Sequence, residues 1–459
     1  MPQSIHFISV GGSAMHNLAL ALQQQGHTVT GSDERIYEPS RTRLTQHNLL
    51  PTKMGWFSEN IHAGLDMVIV GMHIHKDNPE LIRALELGLN VYSYPEFIYQ
   101  QSQQKQRVVI TGSHGKTTIT AMILHVLKYH NRSFDYWIGD LIDGFATTVR
   151  LSTTAPIIVI EGDEYASSPI DSQPKFSHYQ PHIALISGIA WDHVTLYPTW
   201  DEYVDQFESL AEAMPKAGIL VFDESDDMLD VIGQKERTDI TKIPYQPHPS
   251  EVIDGVTYLL TKQGKQVAIS LFGQHNLKNI AGAILICDRV GITEDQFYAA
   301  IPTFTSVKGR LEKIAQGNGR IVYQDLAHSP AKVEAVTEAV RHQHPDKKLL
   351  VVVELKLSDS SNQDFLDQYK HTVDVADDAV LFIDTRLLNA EQIDQSILDR
   401  FLEVFDQSNI HLFTNTNSLS KYLLEQRDEA QIFLLMSYLQ FDGLDIEAIA
   451  TNLVLDSVS

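Results

Sequence analysis

Three things are scarce in this sequence: cysteine, basic residues and long apolar runs. Cys287 is the single cysteine among 459 residues, which excludes an internal disulfide framework and favours a reducing compartment. The formal net charge is −24, so nucleic acid is not expected as the main partner, because phosphate contacts need clustered Lys and Arg. No apolar run reaches about 18 residues, and the N-terminus lacks a basic, apolar leader, so we expect a cytoplasmic protein without membrane insertion.

The composition is that of an ordinary globular protein. With 43% hydrophobic and 20% charged residues, a chain of this length is expected to form about three domains. Strand and helix patterns alternate in a βαβ rhythm, which predicts α/β domains with mainly parallel sheets. We place three domains in series at residues 1–103, 104–308 and 309–459, with the polar run Gln100–Gln106 as the first linker.

The strongest motif is a loop between a strand and a helix. The strand is Val108–Ile110, and the loop after it runs Thr111, Gly112, Ser113, His114, Gly115, Lys116, Thr117, Thr118. Glycines let backbone N–H groups turn toward phosphate oxygens, and the helix N-terminus adds the positive end of a dipole. Lys116 can bridge the outer phosphates of a nucleotide, and the Thr117 hydroxyl can ligate Mg²⁺. The competing interpretation is a glycine-rich turn with a chance Lys-Thr pair.

A second glycine loop follows the first strand of the chain. Gly11, Gly12 and Ser13 precede a helix, and Asp33 comes roughly 20 residues later, as in part of a dinucleotide fingerprint. In that interpretation a nucleotide diphosphate lies on the helix N-terminus. An ordinary strand-to-helix turn is the alternative, because the full glycine pattern is missing. A nicotinamide-dependent oxidoreductase is the function class that this loop alone suggests.

Acidic residues follow two strands of the predicted central domain. Glu161 ends the strand that contains Ile157–Ile160, and Asp192 and His193 follow the strand Ile183–Ile186. The carboxyl ends of parallel strands face the ligand crevice of an α/β sheet, and Mg²⁺ favours carboxylate oxygens. The pattern therefore indicates a metal site, whereas either cluster alone also fits a solvated loop.

Amide side chains recur at the start of a later helix, in the run Gly273–Asn279. Asn276 and Asn279 are three residues apart and share one face of that helix, next to His275. Amide groups on one face can bind the edge of a purine. Capping of the helix N-terminus by Asn is the alternative interpretation.

These motifs, in this order, resemble the Mur ligase family along the whole chain. The third-domain segments Lys308–Glu312 and Tyr323–Pro330 resemble signatures of the same family. The resemblance implies a Rossmann-like first domain, a central P-loop ATPase-like domain and a Rossmann-like third domain. It also implies an enzyme that uses ATP to join an amine to a carboxylate through an acyl phosphate, with Mg²⁺ as the metal.

The resemblance assigns roles to individual residues of this sequence. Lys116 and His193 are expected to be catalytic, with one Mg²⁺ held by Thr117 and a second by Glu161 and His193. The ATP-binding residues are expected to be Gly112, Ser113, His114, Gly115, Lys116, Thr117, Thr118, His275, Asn276, Asn279, Arg310 and Asp325. The residues expected to bind UDP-N-acetylmuramate are Gly11, Gly12, Ser13 and Asp33.

Within the family, the sequence resembles the peptide-ligase branch, which joins UDP-N-acetylmuramate to L-alanyl-γ-D-glutamyl-meso-diaminopimelate in murein recycling. The likeness rests on two details. One is Gly31-Ser32-Asp33 followed by Tyr37-Glu38-Pro39, and the other is the segment after Glu164-Tyr165, which ends Lys175-Phe176-Ser177-His178-Tyr179. The residues expected to bind the peptide are Lys175, His178, Tyr179, His328 and Lys356. The branch that ligates L-alanine to UDP-N-acetylmuramate is the alternative, and a non-catalytic nucleotide-binding paralogue is a further one.

The sequence departs from the family pattern in four places. Gly188 and Ala190 stand where the family has Asn and Glu. The run Glu354–Asp359 replaces an arginine-containing loop that receives the amine substrate, and Tyr438–Gly443 replaces a glycine-rich loop. These changes leave the ATP motifs intact and bear on how the carboxylates of a peptide are held.

Overall fold

The computed structural model describes residues 2–356, 362–383, 395–405 and 410–455. The chain divides into two compact units. The first comprises Met1–Ile189, Val204–Gln246 and Gly282–Ala300, and the second comprises Ala190–Tyr203, Pro247–Ala281 and Ile301–Ser459. Three residues of the replaced amine-substrate loop, Leu357, Ser358 and Asp359, lie outside the described residues.

A four-stranded sheet with four helices opens the first unit. Its elements are β1 (Ser4–Ile8), α1 (Ser13–Gln24), β2 (Thr28–Ser32), α2 (Ser40–Gln46), β3 (Met67–Val70), α3 (Pro79–Glu86), β4 (Asn90–Ser93) and α4 (Tyr94–Ser102). The strands pair in parallel in the order β2-β1-β3-β4. Parallel pairing requires helical crossovers, and the strongly apolar β1 and β3 are buried accordingly.

The central part of the chain forms a larger sheet. Its strands are β5 (Gln106–Thr111), β6 (Asp135–Trp137), β7 (Val149–Arg150), β8 (Ile157–Glu161), β11 (Ile183–Ile186), β12 (Ile219–Asp223) and β13 (Thr241–Tyr245). A separate two-stranded hairpin, β9 (Ala166–Ser168) and β10 (Asp171–Pro174), lies between β8 and β11 in the chain. The helices of this stretch are α5 (Lys116–Tyr129), α6 (Trp200–Ala213), α7 (Asp227–Gln234), α8 (Gln274–Arg289) and α9 (Glu294–Ala300). The sheet order is β13-β12-β11-β5-β8-β6-β7, so β5 lies between β11 and β8.

Two further sheets lie in the second unit. The smaller is antiparallel and contains β14 (Ser250–Ile253), β15 (Val256–Leu260) and β16 (Gln266–Ile269). The larger contains β17 (Glu312–Gly317), β18 (Arg320–Asp325), β19 (Leu349–Leu355), β20 (Asp378–Ile383), β21 (Ile410–Phe413) and β22 (Ile432–Met436). Its order is β17-β18-β22-β19-β20-β21, and all its pairings are parallel except β17 with β18.

In the part of the chain that the structure describes, six α-helices accompany the larger sheet of the second unit. They are α10 (Pro330–Gln343), α11 (Gln363–Leu366), α12 (Gln395–Phe405), α13 (Thr416–Glu425), α14 (Gln440–Gly443) and α15 (Ile446–Val454). Within the described ranges, no helix is long and apolar enough to cross a membrane.

The interpretation of Gln100–Gln106 as a linker is wrong for most of that run. Helix α4 continues to Ser102, and β5 begins at Gln106. Between them, Lys105 is buried and pairs with the fully buried Asp135 at 2.8 Å, while its Nζ also donates to two backbone carbonyls. A polar composition alone could not reveal this, because the partner lies 30 residues further along the chain and meets Lys105 only in the fold.

Helix α3 offers a test of the core of the first sheet. Leu81 is fully buried against Val68 and Val70, whereas Leu85, one turn later, is 55% exposed. We expect Leu81→Ala to destabilise the protein by about 2–5 kcal/mol through lost burial and the cavity left behind. Leu85→Ala is the matched control and should change stability by under about 0.5 kcal/mol. Urea denaturation measures both, and equal losses would contradict the assigned packing.

Candidate active site

The glycine loop lies between β5 and α5, as the sequence predicts. Gly112 and Gly115 both have positive φ angles, 128° and 77°, which glycine adopts without a side-chain penalty. Helix α5 begins at Lys116 and has neither a side-chain cap nor an acidic residue in its first turn. Its first N–H groups therefore keep the arrangement and the positive dipole end that bind phosphate.

The ammonium group of Lys116 is held at the mouth of this loop. Its Nζ donates to the carbonyl of Gly112 at 2.6 Å and to the carboxylate of the buried Glu164 at 2.8 Å. Burial opposes the charged form, but the carboxylates of Glu164, Asp163 and Glu161 outweigh it and raise the pKa of Lys116. A full positive charge is thus maintained where an outer phosphate of ATP would lie.

The carboxylate of Glu161 lies at the end of β8, beside the glycine loop. It accepts hydrogen bonds from the Thr117 hydroxyl at 2.7 Å and from the Gly139 N–H at 2.8 Å. Burial nevertheless raises the pKa of Glu161, so these donors compensate the buried charge only in part. Carboxylate and hydroxyl oxygens are the hard ligands that Mg²⁺ prefers, and the pair therefore fits a magnesium ion.

The end of β11 closes the other side of the glycine loop. The Ser113 N–H donates to the carbonyl of Gly188 at 2.9 Å, and the Ser187 hydroxyl donates to the carbonyl of Thr111 at 3.1 Å. Gly188 has a φ of 155°, and a Cβ atom there would overlap the imidazole ring of His114. The departure at Gly188 therefore accompanies a close contact between that glycine and the His114 ring.

The loop of the first sheet is organised by Asp33. The carboxylate of Asp33 accepts from the Gly11 N–H at 2.8 Å, and burial raises the pKa of Asp33. Helix α1 begins at Ser13 with Gly12 at its N-cap and without a side-chain cap. The structure thus brings Gly11, Gly12, Ser13 and Asp33 together at one helix N-terminus, and their binding of a UDP-sugar stays a prediction.

The segment after Glu164 packs within the first unit, next to the start of α4. It forms the β9–β10 hairpin and a helical turn over Lys175–Tyr179. Lys175 is buried, and its Nζ donates to the Asp163 carboxylate at 2.6 Å and lies within 5.5 Å of the ring centroids of Tyr94 and Tyr165. Its partner Asp163 lies two residues along the chain from Glu161.

The other two predicted peptide ligands in that turn are engaged differently. Tyr179 is fully buried, and burial, with the nearby Tyr94, Asp163 and Glu161, raises its pKa well above the ordinary value. His178 pairs with Asp171 at 2.6 Å. Tyr179 therefore lies in the interior, and His178 is held by the hairpin. Of the three residues, Lys175 is the one that bonds to Asp163.

Asp192 and His193 lie in the second unit. The carboxylate of Asp192 accepts from the His193 N–H at 2.8 Å and forms a 2.7 Å ion pair with Lys332 of α10. Burial favours the neutral acid, but Lys332, His193 and His328 hold the pKa of Asp192 well below its usual range. His193 itself has a left-handed backbone, with φ 58°.

The predicted adenine-side residues open α8, also in the second unit. Asn279 Nδ2 donates to Asn276 Oδ1 at 3.3 Å, which confirms that the two amides share a face. Asn276 Nδ2 donates to the Phe272 carbonyl at 2.9 Å. His275 is half-buried, and desolvation of its ring lowers its pKa to about 4, so this ring is neutral at physiological pH.

The third-domain signatures meet at the end of β18. The carboxylate of Asp325 accepts from the Leu311 and Ala327 N–H groups, both at 2.6 Å. Burial raises the pKa of Asp325, and the charge of Arg310 opposes that rise, which places Arg310 and Asp325 in one electrostatic site. The two residues that the sequence assigns to ATP are thus neighbours.

The predicted amine-substrate residues His328 and Lys356 lie near Tyr438. The ring centroids of His328 and Tyr438 are 4.9 Å apart, and Lys356 Nζ lies 5.0 Å from the Tyr438 centroid. Burial, together with the smaller effects of the positive charges on Lys332 and Lys356, lowers the pKa of His328 to about 3. The neutral ring therefore donates from Nδ1 to the Leu326 carbonyl at 2.8 Å, and its buried Nε2 has no hydrogen-bond partner among the described residues.

Sequence reasoning missed three contributors to this chemistry. Glu164 pairs with Lys116, the Gly139 N–H binds Glu161, and Lys332 binds Asp192. The position of Glu164 in the acidic run Glu161–Glu164 was a local signal for its role beside Lys116. The other two have no local signal, because each partner is more than 20 residues away along the chain.

Comparison with known proteins identifies the family. The model of the Mur ligase middle domain matches residues 110–287, that of the Mur ligase family catalytic domain matches 4–106, and that of the Mur ligase glutamate ligase domain matches 309–438. The UDP-N-acetylmuramate–L-alanine ligase of Lactiplantibacillus plantarum is 31% identical over 356 residues, which cover 76% of this chain and 77% of that protein. The chain belongs to the Mur ligase family.

Two more relatives carry the name of the other branch. The UDP-N-acetylmuramate–L-alanyl-γ-D-glutamyl-meso-2,6-diaminoheptandioate ligase of Escherichia coli is 28% identical over 351 residues, or 73% of this chain and 75% of that protein. The crystal structure of a murein peptide ligase from Psychrobacter arcticus has a TM-score of 0.67 and 23% identity, with both chains covered completely. The second similarity establishes the fold, which is the three-domain α/β fold of Mur ligases.

Membership of the family confirms the reaction class predicted from the sequence. This Mur ligase is an ATP-dependent enzyme that forms a C–N bond, and it uses ATP and Mg²⁺. The glycine loop, with its lysine and uncapped helix, and the buried Glu161 next to Thr117 agree with that chemistry. The nicotinamide-dependent alternative is thereby wrong.

Lys116 offers the most direct test of the glycine loop. We expect Lys116→Ala to lower turnover by at least about a hundredfold, because a preorganised donor to the charge that develops on the phosphates is lost. Lys128→Ala, at the opposite end of the same helix, is the matched control and should retain near-normal turnover. ADP formation measures both, and a Lys116→Ala enzyme with native turnover would contradict the assigned role.

Proposed function

We propose that this Mur ligase joins the carboxylate of UDP-N-acetylmuramate to the free amine of L-alanyl-γ-D-glutamyl-meso-diaminopimelate, as in murein recycling. The observation that carries the proposal is the folded segment 166–179. It is not a solvated excursion: Lys175, Phe176 and Tyr179 are buried, and Lys175 bonds to Asp163 within the carboxylate run that begins at Glu161. A segment so placed borders the phosphate-binding loop.

The residues of the chain account for the first half of such a reaction. A carboxylate is a poor acyl donor until its oxygen is phosphorylated. A carboxylate oxygen of the acyl substrate attacks the γ-phosphorus of ATP, and ADP leaves as the acyl phosphate forms. This step spreads negative charge over the phosphate oxygens, and Lys116 and the N-terminus of α5 supply positive charge there. The amine then attacks the acyl phosphate and inorganic phosphate leaves.

The binding of UDP-N-acetylmuramate is assigned to the first sheet in this proposal. Gly11, Gly12 and Ser13 supply N–H groups at the start of α1, and Asp33 holds the loop through Gly11. Stacking of Tyr94 on Trp137, with centroids 4.7 Å apart, joins the end of this region to the central sheet within the same unit. The carboxylate end of the substrate would then extend from α1 toward Glu161.

A second candidate is ligation of L-alanine to UDP-N-acetylmuramate. The relative from Lactiplantibacillus plantarum, named as such a ligase, favours it with 31% identity. The departures of the third domain favour it as well, because Lys356 lacks the bidentate fork with which an arginine binds a carboxylate. Glu354 is not a ligand candidate, since its carboxylate accepts from the Leu439 and Phe441 N–H groups at 2.9 and 3.3 Å.

The choice of amine is tested by kinetics. We expect kcat/KM for L-alanyl-γ-D-glutamyl-meso-diaminopimelate to exceed that for L-alanine at equal ATP and Mg²⁺, because the Lys175 ammonium group, which bonds to Asp163, has three N–H donors and can serve a peptide carboxylate that a single amino acid lacks. Phosphate release with UDP-N-acetylmuramate as acyl donor is the measurement. A higher kcat/KM for alanine would replace this proposal with the second candidate.

We propose that two magnesium ions serve the reaction. Thr117 would hold one with the ATP phosphates, and Glu161 and His193 would hold the other. Bound Mg²⁺ supplies charge neutralisation and orientation of the phosphate oxygens. Glu161 is poised for this by its buried, partly compensated charge, and the backbone N–H of His193 is fixed by Asp192.

A double-mutant cycle tests whether Glu161 and His193 share an ion. We expect Glu161→Gln and His193→Ala each to raise the Mg²⁺ concentration for half-maximal activity. The double variant should need little more Mg²⁺ than the more impaired single variant, because the effects of two residues that bind one ion are not additive. Magnesium titrations of the four proteins give the coupling. Strictly additive losses would show that the two residues serve separate sites.

A further inference from the structure

We infer that Lys332 is a positioning residue for His193: by its ion pair with Asp192 it fixes the histidine-bearing segment to α10. The inference rests on the proposed role of His193 as a metal ligand. Lys332 lies outside the family segments Lys308–Glu312 and Tyr323–Pro330. Lys332 would contact neither substrate nor metal and would act only through Asp192.

The ion pair itself is the first observation. Lys332 Nζ lies 2.7 Å from Asp192 Oδ2, while the other oxygen, Oδ1, accepts from the His193 N–H at 2.8 Å. One buried carboxylate therefore links the helix to the backbone of His193. Because Asp192 is only 4% exposed, water replaces Lys332 poorly, and the loss of the ammonium group would leave a buried charge without its main partner.

Two further contacts show that segment 190–203 packs against its neighbours at several points. The ring of Trp191 meets the ring of Phe365 edge-on, with centroids 5.9 Å apart. Asn362 Nδ2 donates to the Pro198 carbonyl at 3.2 Å. Segment 190–203 thus contacts α10 and the residues around α11, all in one compact unit.

The backbone of His193 makes this support necessary. Its φ of 58° lies in the left-handed region, which residues other than glycine adopt only at an energetic cost. Such a conformation persists only where surrounding contacts hold it. The bond from His193 N–H to Asp192, anchored by Lys332, is a contact of that kind. Without the anchor, the histidine relaxes and its ring leaves the orientation needed for a ligand.

The experiment uses Mn²⁺ as the probe with the full chain. Mn²⁺ binding is measured by electron paramagnetic resonance in the presence of a non-hydrolysable ATP analogue, for the native protein, Lys332→Met and Lys332→Arg. Methionine keeps the apolar stem and removes the charge. We expect Lys332→Met to weaken the second Mn²⁺ about 10–100-fold, as loss of an outer partner of a metal ligand does, and Lys332→Arg to restore most of it.

The control and the outcomes separate positioning from general stability. Lys370→Ala removes an exposed ion pair with Asp367 and should leave Mn²⁺ binding unchanged. Native-like Mn²⁺ affinity in Lys332→Met, or in Lys332→Gln if the methionine variant fails to fold, overturns the inference. So does a loss that Lys332→Arg does not repair. If the native protein shows no ligase activity yet the Mn²⁺ pattern holds, the proposed function fails and this inference stands.

Discussion

The parallel pairing of β5 with β8 on one side and with β11 on the other sets the position of every group around the phosphate loop. Ile110 pairs with Glu161, and Ile186 pairs with Thr111, so three strands end at one edge of the sheet. The Gly162 N–H donates to the Ile110 carbonyl and the Ser187 N–H to the Thr111 carbonyl, at 2.8 and 2.9 Å. Segments far apart in sequence thereby form one site.

This edge concentrates buried negative charge, and the chain compensates it group by group. Glu164 is matched by Lys116, Asp163 by Lys175, and Glu161 by the Thr117 hydroxyl and the Gly139 N–H. The first two carboxylates each bond to a lysine, whereas the bonds that Glu161 accepts come from neutral donors. The buried charge of Glu161 is therefore compensated only in part, and this is the carboxylate at which we propose a divalent ion.

The second unit uses the same physics to hold its own functional groups. Asp192 is compensated by Lys332, Asp325 by two N–H groups and Arg310, and Glu354 by N–H groups of the loop that follows β22. The carboxylate of Glu354 thus ties the end of β19 to the backbone of the loop that follows β22.

Much of the fold and of the phosphate site could be predicted from the sequence, because their signals are local. A βαβ rhythm, glycines between a strand and a helix, and acidic residues at strand ends are visible within about 10 residues of one another, and they predict parallel sheets and the loop around Lys116. The predicted strand Ile183–Ile186 is confirmed with the same ends, and Asn276 and Asn279 share a face as predicted.

What the sequence by itself determined is the class of chemistry: a phosphate loop, carboxylates for a metal and a family order of motifs. Only the tertiary structure decided which charges are paired. Lys105 is buried against Asp135 rather than solvated in a linker, Tyr179 points into the interior, and Lys332 binds Asp192. The physical reason is that a buried charge is stabilised by partners that the fold brings within about 3 Å, and a buried ring by the interior that packs around it, and sequence distance carries no information about either.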